Sequence, residues 1–180
     1  ATTPMSDDKM HFTRYPVISL GAEHLAMGYL LRRNILTYKA PPNNEGYDLI
    51  CIHPNPRVRK RQIRVQVKSR LATDAGQGFL VKGASLDAFD FLVVAYLNVG
   101  YFHHKAKTLG CRVGAQEPVL YTFPASFARK HHDSSNSWEK VRTGGLNVER
   151  FKNHDGFEQI ARALRIPYPE KATGARRHAR

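Results

Sequence analysis

The segment Gln62-Ile63-Arg64-Val65-Gln66-Val67-Lys68 does most to limit what this chain can fold into. Side chains of an extended segment alternate between two faces, so Ile63, Val65 and Val67 fall on one side and Gln62, Arg64, Gln66 and Lys68 on the other. The β-branched residues favour a strand, and the alternation asks for a sheet that is apolar on one face and polar on the other at this point. An antiparallel strand with one wet face satisfies the same pattern, so the segment alone leaves function open.

The strand before it narrows the choice. Tyr47-Asp48-Leu49-Ile50-Cys51-Ile52 is apolar on both faces after its first residues, which predicts a central strand of a covered sheet. Pro41-Pro42-Asn43-Asn44-Glu45-Gly46 in front of it is turn-rich, so Asp48 is either a turn residue or a ligand. His53 to Arg61 reads as a hairpin connection. Antiparallel pairing would bring the start of the first strand beside the end of the second, and so Asp48 beside Gln66 and Lys68.

A helix upstream supplies a further acid. From Ser19, a reasonable N-cap, to about Arg33 the pattern is helical, with Leu20, Ala26, Met27, Leu30 and Leu31 on one face. Glu23 falls in the middle of that face, whereas His24, Gly28 and Arg32 point elsewhere. A carboxylate directed inward is costly without a cation or strong hydrogen-bond donor. The plainer alternatives are a Glu that reaches the edge of the helix or pairs with a structural Arg.

In this order the elements resemble the PD-(D/E)xK nuclease superfamily, the restriction-endonuclease-like fold. The matching text is Gly21-Ala22-Glu23, then Gly46-Tyr47-Asp48-Leu49, then Val65-Gln66-Val67-Lys68-Ser69, with Phe89 to Tyr96 as the next core strand, across residues 15–125. Tyr47 stands where the family has proline, and Gln66 where it has the second acid. An amide oxygen can ligate a hard cation but brings no charge.

The resemblance implies an α/β domain with a mixed central β-sheet flanked by α-helices, and a metal-dependent DNA endonuclease hydrolysing phosphodiester bonds to a 5′-phosphate and a 3′-hydroxyl. It implies Mg²⁺, with Mn²⁺ as substitute, held by Asp48, Glu23, Gln66 and a backbone carbonyl near Val67. Lys68 would stabilise charge developing on the phosphate. The family's glutamine variants include active and degenerate members, so the alternative is a noncatalytic nucleic-acid-binding module that kept the fold. A third reading is an interaction domain for an acidic protein.

Charge favours a polyanionic partner. The chain carries 28 Lys+Arg against 15 Asp+Glu, a formal net charge of +13, which is the electrostatic footprint of nucleic-acid binding. Arg57, Arg59, Lys60 and Arg61 crowd the hairpin connection, expected beside the site, and Arg70 and Lys82 follow. These are the candidate phosphate contacts, with DNA as the expected partner and RNA as the other polymer they could take. One short chain with one site would need a two-fold homodimer to cut both strands.

The rest of the chain sets limits. Its 180 residues suit an N-terminal extension over 1–14, a single domain over 15–168 and a mobile basic tail over 169–180. No run nears the ~18 apolar residues of a membrane span, no secretory leader is read in the polar Met5 to Met10 stretch, and Cys51 and Cys111 read as reduced core thiols of a cytoplasmic protein. Asn98-Val99-Gly100 reads as a turn into Tyr101-Phe102-His103, Val119 to Phe123 as a strand, and Pro124 to Lys130 and Phe157 to Leu164 as helices, with a loop over His132 to Asn147. His103-His104, His131-His132, Asn136 and His154 lack the compact spacing of an HNH-type metal site.

Overall fold

The alternating segment forms the eight-residue strand Ile63–Arg70, and the rest of the domain is arranged around it. The computed structural model describes residues 17–42, 44–58, 61–71, 78–99 and 116–170. In chain order the elements are α1 (Val17–Leu31), β1 (Leu36–Lys39), β2 (Leu49–Ile52), β3 (Ile63–Arg70), β4 (Gly78–Leu80), β5 (Phe91–Tyr96), β6 (Val119–Pro124), α2 (Ala125–Lys130), β7 (His132–Asp133), β8 (Lys140–Arg142) and α3 (Asn153–Leu164).

The result is the mixed α/β architecture expected. Five strands form one sheet in the order β1-β2-β3-β5-β6. β2 runs antiparallel to β3, with Leu49 opposite Val65. β5 runs parallel to β3, with Lys68 opposite Val94, and β6 returns antiparallel to β5. The parallel pair needs a crossover, and the chain between β3 and β5 supplies it, carrying β4 and the 3₁₀ turn Gly83–Ser85.

Each face of the sheet has its own core. On one, Ala22, Ala26 and Leu30 of α1 and Phe157, Ile160 and Leu164 of α3 pack with Leu49, Cys51, Ile63, Val65 and Val67. On the other, Phe79, Val81 and Val141 from a small sheet of order β4-β8-β7 pack with Leu92, Val94, Tyr96, Tyr121 and Phe123. β5 lies under both layers, and all six of its residues are buried. Cys51 is a free buried thiol, pushed up to about 12 by burial, with Thr37 Oγ1 at 3.6 Å. Cys111 and Tyr101 to His104 lie outside the described residues.

Several expectations need correction. β2 is covered on one face only, since Ile50 and Ile52 are half-buried. The second core reaches β5 and β6 rather than β2, and the strand outside β2 is β1, an edge the sequence reading did not assign. Ser19 lies inside α1 and does not cap it. The buried stripe of α1 is Ala22, Ala26 and Leu30, while Leu20 and Leu31 are exposed, so Glu23 borders the stripe instead of centring it. The segment 132–147 is no simple loop, because β7 and β8 sit within it and Val141 is fully buried.

Gly156 fixes how closely α3 meets the sheet. A Cβ there would stand 2.1 Å from the Phe151 carbonyl oxygen and 3.1 Å from Thr122 Cβ. Gly156→Ala is therefore expected to destabilise the fold by about 2–3 kcal/mol, the range of overpacked cores, read as a lower urea midpoint with an unchanged slope.

Candidate active site

The site begins in the turn before β2. Gly46 has φ of +90°, and a Cβ there would lie 2.3 Å from Ala88 Cβ, so the turn crosses the β3–β5 crossover at a distance only glycine allows. Asn44 Nδ2 donates to the Tyr47 carbonyl at 3.0 Å and holds the turn. Asp48 then enters the ladder: its N–H donates to Val65 O at 2.9 Å, and its carbonyl accepts from Ala40 N at 2.8 Å.

The carboxylate continues that ladder where the backbone stops. Val67 N–H donates to Asp48 Oδ2 at 2.6 Å. The paired residues of β2 and β3 run from Cys51 and Ile63 to Leu49 and Val65. A side-chain oxygen thus takes the place of the next strand carbonyl, which lets the two strands part. Asp48 thus sits between the turn and the first paired residue of β2, with backbone bonds to both neighbouring strands. One oxygen is committed to Val67, leaving Oδ1 as the atom for a ligand.

Gln66 and Lys68 flank Val67 on the opposite face of β3. Burial pushes the Lys68 ammonium below the ordinary lysine range, and the Asp48 charge pulls part of that shift back. Gln66 is 7% exposed, and its Oε1 is buried without a hydrogen-bond partner among the described residues. Such an atom costs about 1–3 kcal/mol unless something binds it. Asp48 Oδ1 and the orphaned Gln66 Oε1 are both oxygen donors, the type a hard divalent cation such as Mg²⁺ or Mn²⁺ prefers.

Glu23 is placed differently. Its carboxylate forms an ion pair with Lys39 Nζ, and Lys39 sits opposite Leu49, next to Asp48 in the chain. The inward acid has found its cation, but that cation is a lysine of the edge strand. Among the described residues no cluster of three His, Cys, Asp or Glu side chains could hold a metal.

The basic residues also divide. Arg57 and Arg61 are exposed, and Arg59 and Lys60 lie outside the described residues. Their connection leaves β2 after Ile52, at the end away from Asp48. At about 3.3 Å per residue it stands roughly 13–17 Å from the carboxylate, so it does not border the site as expected. The antiparallel register that joins Asp48 to Val67 sends the turn the other way. Arg70 is used internally: its guanidinium donates to Gly78 O and lies 5.6 Å from the Phe79 ring centre. Lys82 is exposed beside the small sheet.

The histidines have structural partners. His131 packs against Phe127, His154 against Tyr168, and His132 Nε2 lies 2.9 Å from Val81 O. The sequence reading missed Asp90, whose Oδ2 accepts from Arg64 N at 2.8 Å. Its signal was the one used for Asp48, an acid at the mouth of an apolar strand.

No family model matches the chain, and no curated protein matches it. Among solved structures it is similar to a bacterial homing endonuclease, I-Ssp6803I, at 16% identity over 86% of this chain and 96% of that one, with a TM-score of 0.47. The fold class stated above stands on strand order and register instead.

The Asp48–Lys68 coupling has a pH consequence. Because the folded-state pKa of Lys68 is depressed, burying its charge opposes folding below that pKa, and the penalty fades as pH rises through it towards the unfolded value. Asp48→Asn removes the charge that supports the ammonium, so the Lys68 pKa is expected to fall further. An NMR titration of the lysine ε-methylene signals reads this, and an unchanged value would mean that Asp48 does not act on Lys68.

Proposed function

We propose that the chain is a metal-dependent DNA endonuclease whose working groups are Asp48, Gln66 and Lys68, with Glu23 as an outer support. The observation that carries this reading is the orphaned, buried Gln66 Oε1 beside a carboxylate fixed by the Val67 N–H. A purely structural strand has no need of an unsatisfied amide next to a desolvated lysine.

Asp48 holds its carboxylate in one orientation because the Val67 N–H engages one oxygen and backbone bonds to Ala40 and Val65 fix the residue on both sides. Gln66 orients a ligand or a water through Oε1. Lys68, partly stripped of water, offers a concentrated positive charge to the phosphate oxygens as negative charge builds there. Bound Mg²⁺ would supply further charge neutralisation and a more acidic water. The net charge of +13 draws DNA to the surface, and a homodimer would present one site to each strand.

A second reading, the noncatalytic binding module, draws on the neutral side chain of Gln66 and on the engagement of Glu23 by Lys39. Both lower the negative charge available to hold a metal. That module would bind nucleic acid equally with EDTA or Mg²⁺ and cut nothing.

Supercoiled plasmid, branched DNA and an RNA hairpin, each with Mg²⁺, Mn²⁺ or EDTA, separate the two. The nuclease reading expects metal-dependent nicking of DNA that falls by about 10²–10³ in Lys68→Ala, the usual loss of one charge-stabilising donor, with binding retained. Intact DNA with unchanged gel shifts would favour the module. Gln66→Met fills the same space without an orphaned atom, so it is expected to unfold at an equal or higher temperature. It is also expected to lose the thermal shift that Mg²⁺ gives the native chain.

A further inference from the structure

The small sheet β4-β8-β7 packs one face on the core, and among the described residues nothing covers the other. Phe79, Val81 and Val141 are buried beneath it, and the alternate residues Leu80 and Arg142 are exposed. Lys140 shares that outer face, since a Cβ at Gly78 would stand 3.0 Å from its Cδ. Leu80 pairs with Lys140, and Val81 N donates to Glu139 O at 3.2 Å. Beyond these residues the chain continues into exposed Lys82 on one side and into Trp138 of the β7–β8 turn on the other. Trp138 is the only tryptophan in the chain and is 66% exposed.

An indole this exposed gains little from folding, and local hydrogen bonds shape the turn that carries it. Trp138 N donates to Asn136 Oδ1 at 2.9 Å and Ser135 N to Asp133 Oδ1 at 3.0 Å, which closes the β7–β8 turn around it. The nearby acids are engaged elsewhere. Asp133 accepts from Arg142 Nε at 2.6 Å, and the Glu139 carboxylate turns inward to the Gly83 N–H and His132. Lys82 and Lys140 enter no ion pair among the described residues.

We propose that this outer face holds single-stranded nucleic acid, with a base stacked on Trp138 and phosphates against Lys82 and Lys140. A flat exposed ring together with cations that enter no ion pair among the described residues is what sequence-tolerant strand binding needs: stacking for the base and charge for the backbone. The inference deepens the nuclease reading by giving the enzyme a hold on an unpaired strand away from Asp48, and it rests on that reading for the identity of the polymer.

The full chain is titrated in EDTA with a labelled oligo(dT) and, separately, with a labelled duplex. Trp138 emission and the anisotropy of the label are followed together. Expected is a strong fall in emission with oligo(dT), about tenfold weaker binding by Trp138→Ala in anisotropy, and a salt slope flatter by about 1.4 in Lys82→Ala/Lys140→Ala, two contacts at ~0.7 each. Rising anisotropy with constant emission, and variants that bind like the native chain, would overturn this surface and leave the nuclease reading intact. Quenching by duplex alone would overturn the single-strand assignment. No anisotropy change with either DNA would overturn this surface, and the plasmid cleavage assay with Mg²⁺ then decides the nuclease reading separately.

Discussion

Everything in this domain depends on β3 keeping two different neighbours in register. It pairs antiparallel with β2 on one side and parallel with β5 on the other. The two ladders place their hydrogen bonds differently, and an aspartate completes each where the backbone falls short. Asp48 takes the Val67 N–H on the β2 side, and Asp90 takes the Arg64 N–H on the β5 side. The inner residues Ile63, Val65 and Val67 then meet α1 and α3, and Arg70 reaches across to anchor Gly78 of the small sheet. A slip of one residue in β3 would exchange its faces and undo all of these contacts together.

The polar side of β3 is held at a cost. A buried amide oxygen without a partner and an ammonium deprived of water both oppose folding. The two cores, above and below β5, offset that cost elsewhere in the domain. A second buried oxygen without a partner among the described residues, Thr122 Oγ1, lies on β6, so what sets β3 apart is the two kinds of unfavourable group falling together on one stretch.

Periodicity made the central strands and both later helices legible, because β3 alternates, β5 is apolar throughout and α3 repeats its buried residues at helical spacing. The pairing of Asp48 with the Gln66–Lys68 stretch followed from antiparallel register alone. The same register also dictated that the arginine-bearing turn lie at the opposite end, and proximity in sequence obscured that. β1, β7 and β8 carry too few residues for a pattern to emerge, and they exist because neighbouring strands offer them a ladder. The partner of Glu23 depended on how an edge strand would dock, which no local pattern in α1 encodes.

The seat of the Asp48 turn on the crossover ties two positions far apart in sequence. Position 46 has no room for a Cβ while Ala88 stands, and its φ of +90° strains an L side chain whatever stands at 88. Growth there is closed twice, once by a neighbour and once by the backbone, so a change at 88 alone does not release it. Across related chains the turn in front of Asp48 would then read as a fixed glycine, while position 88 is held only by the space it shares.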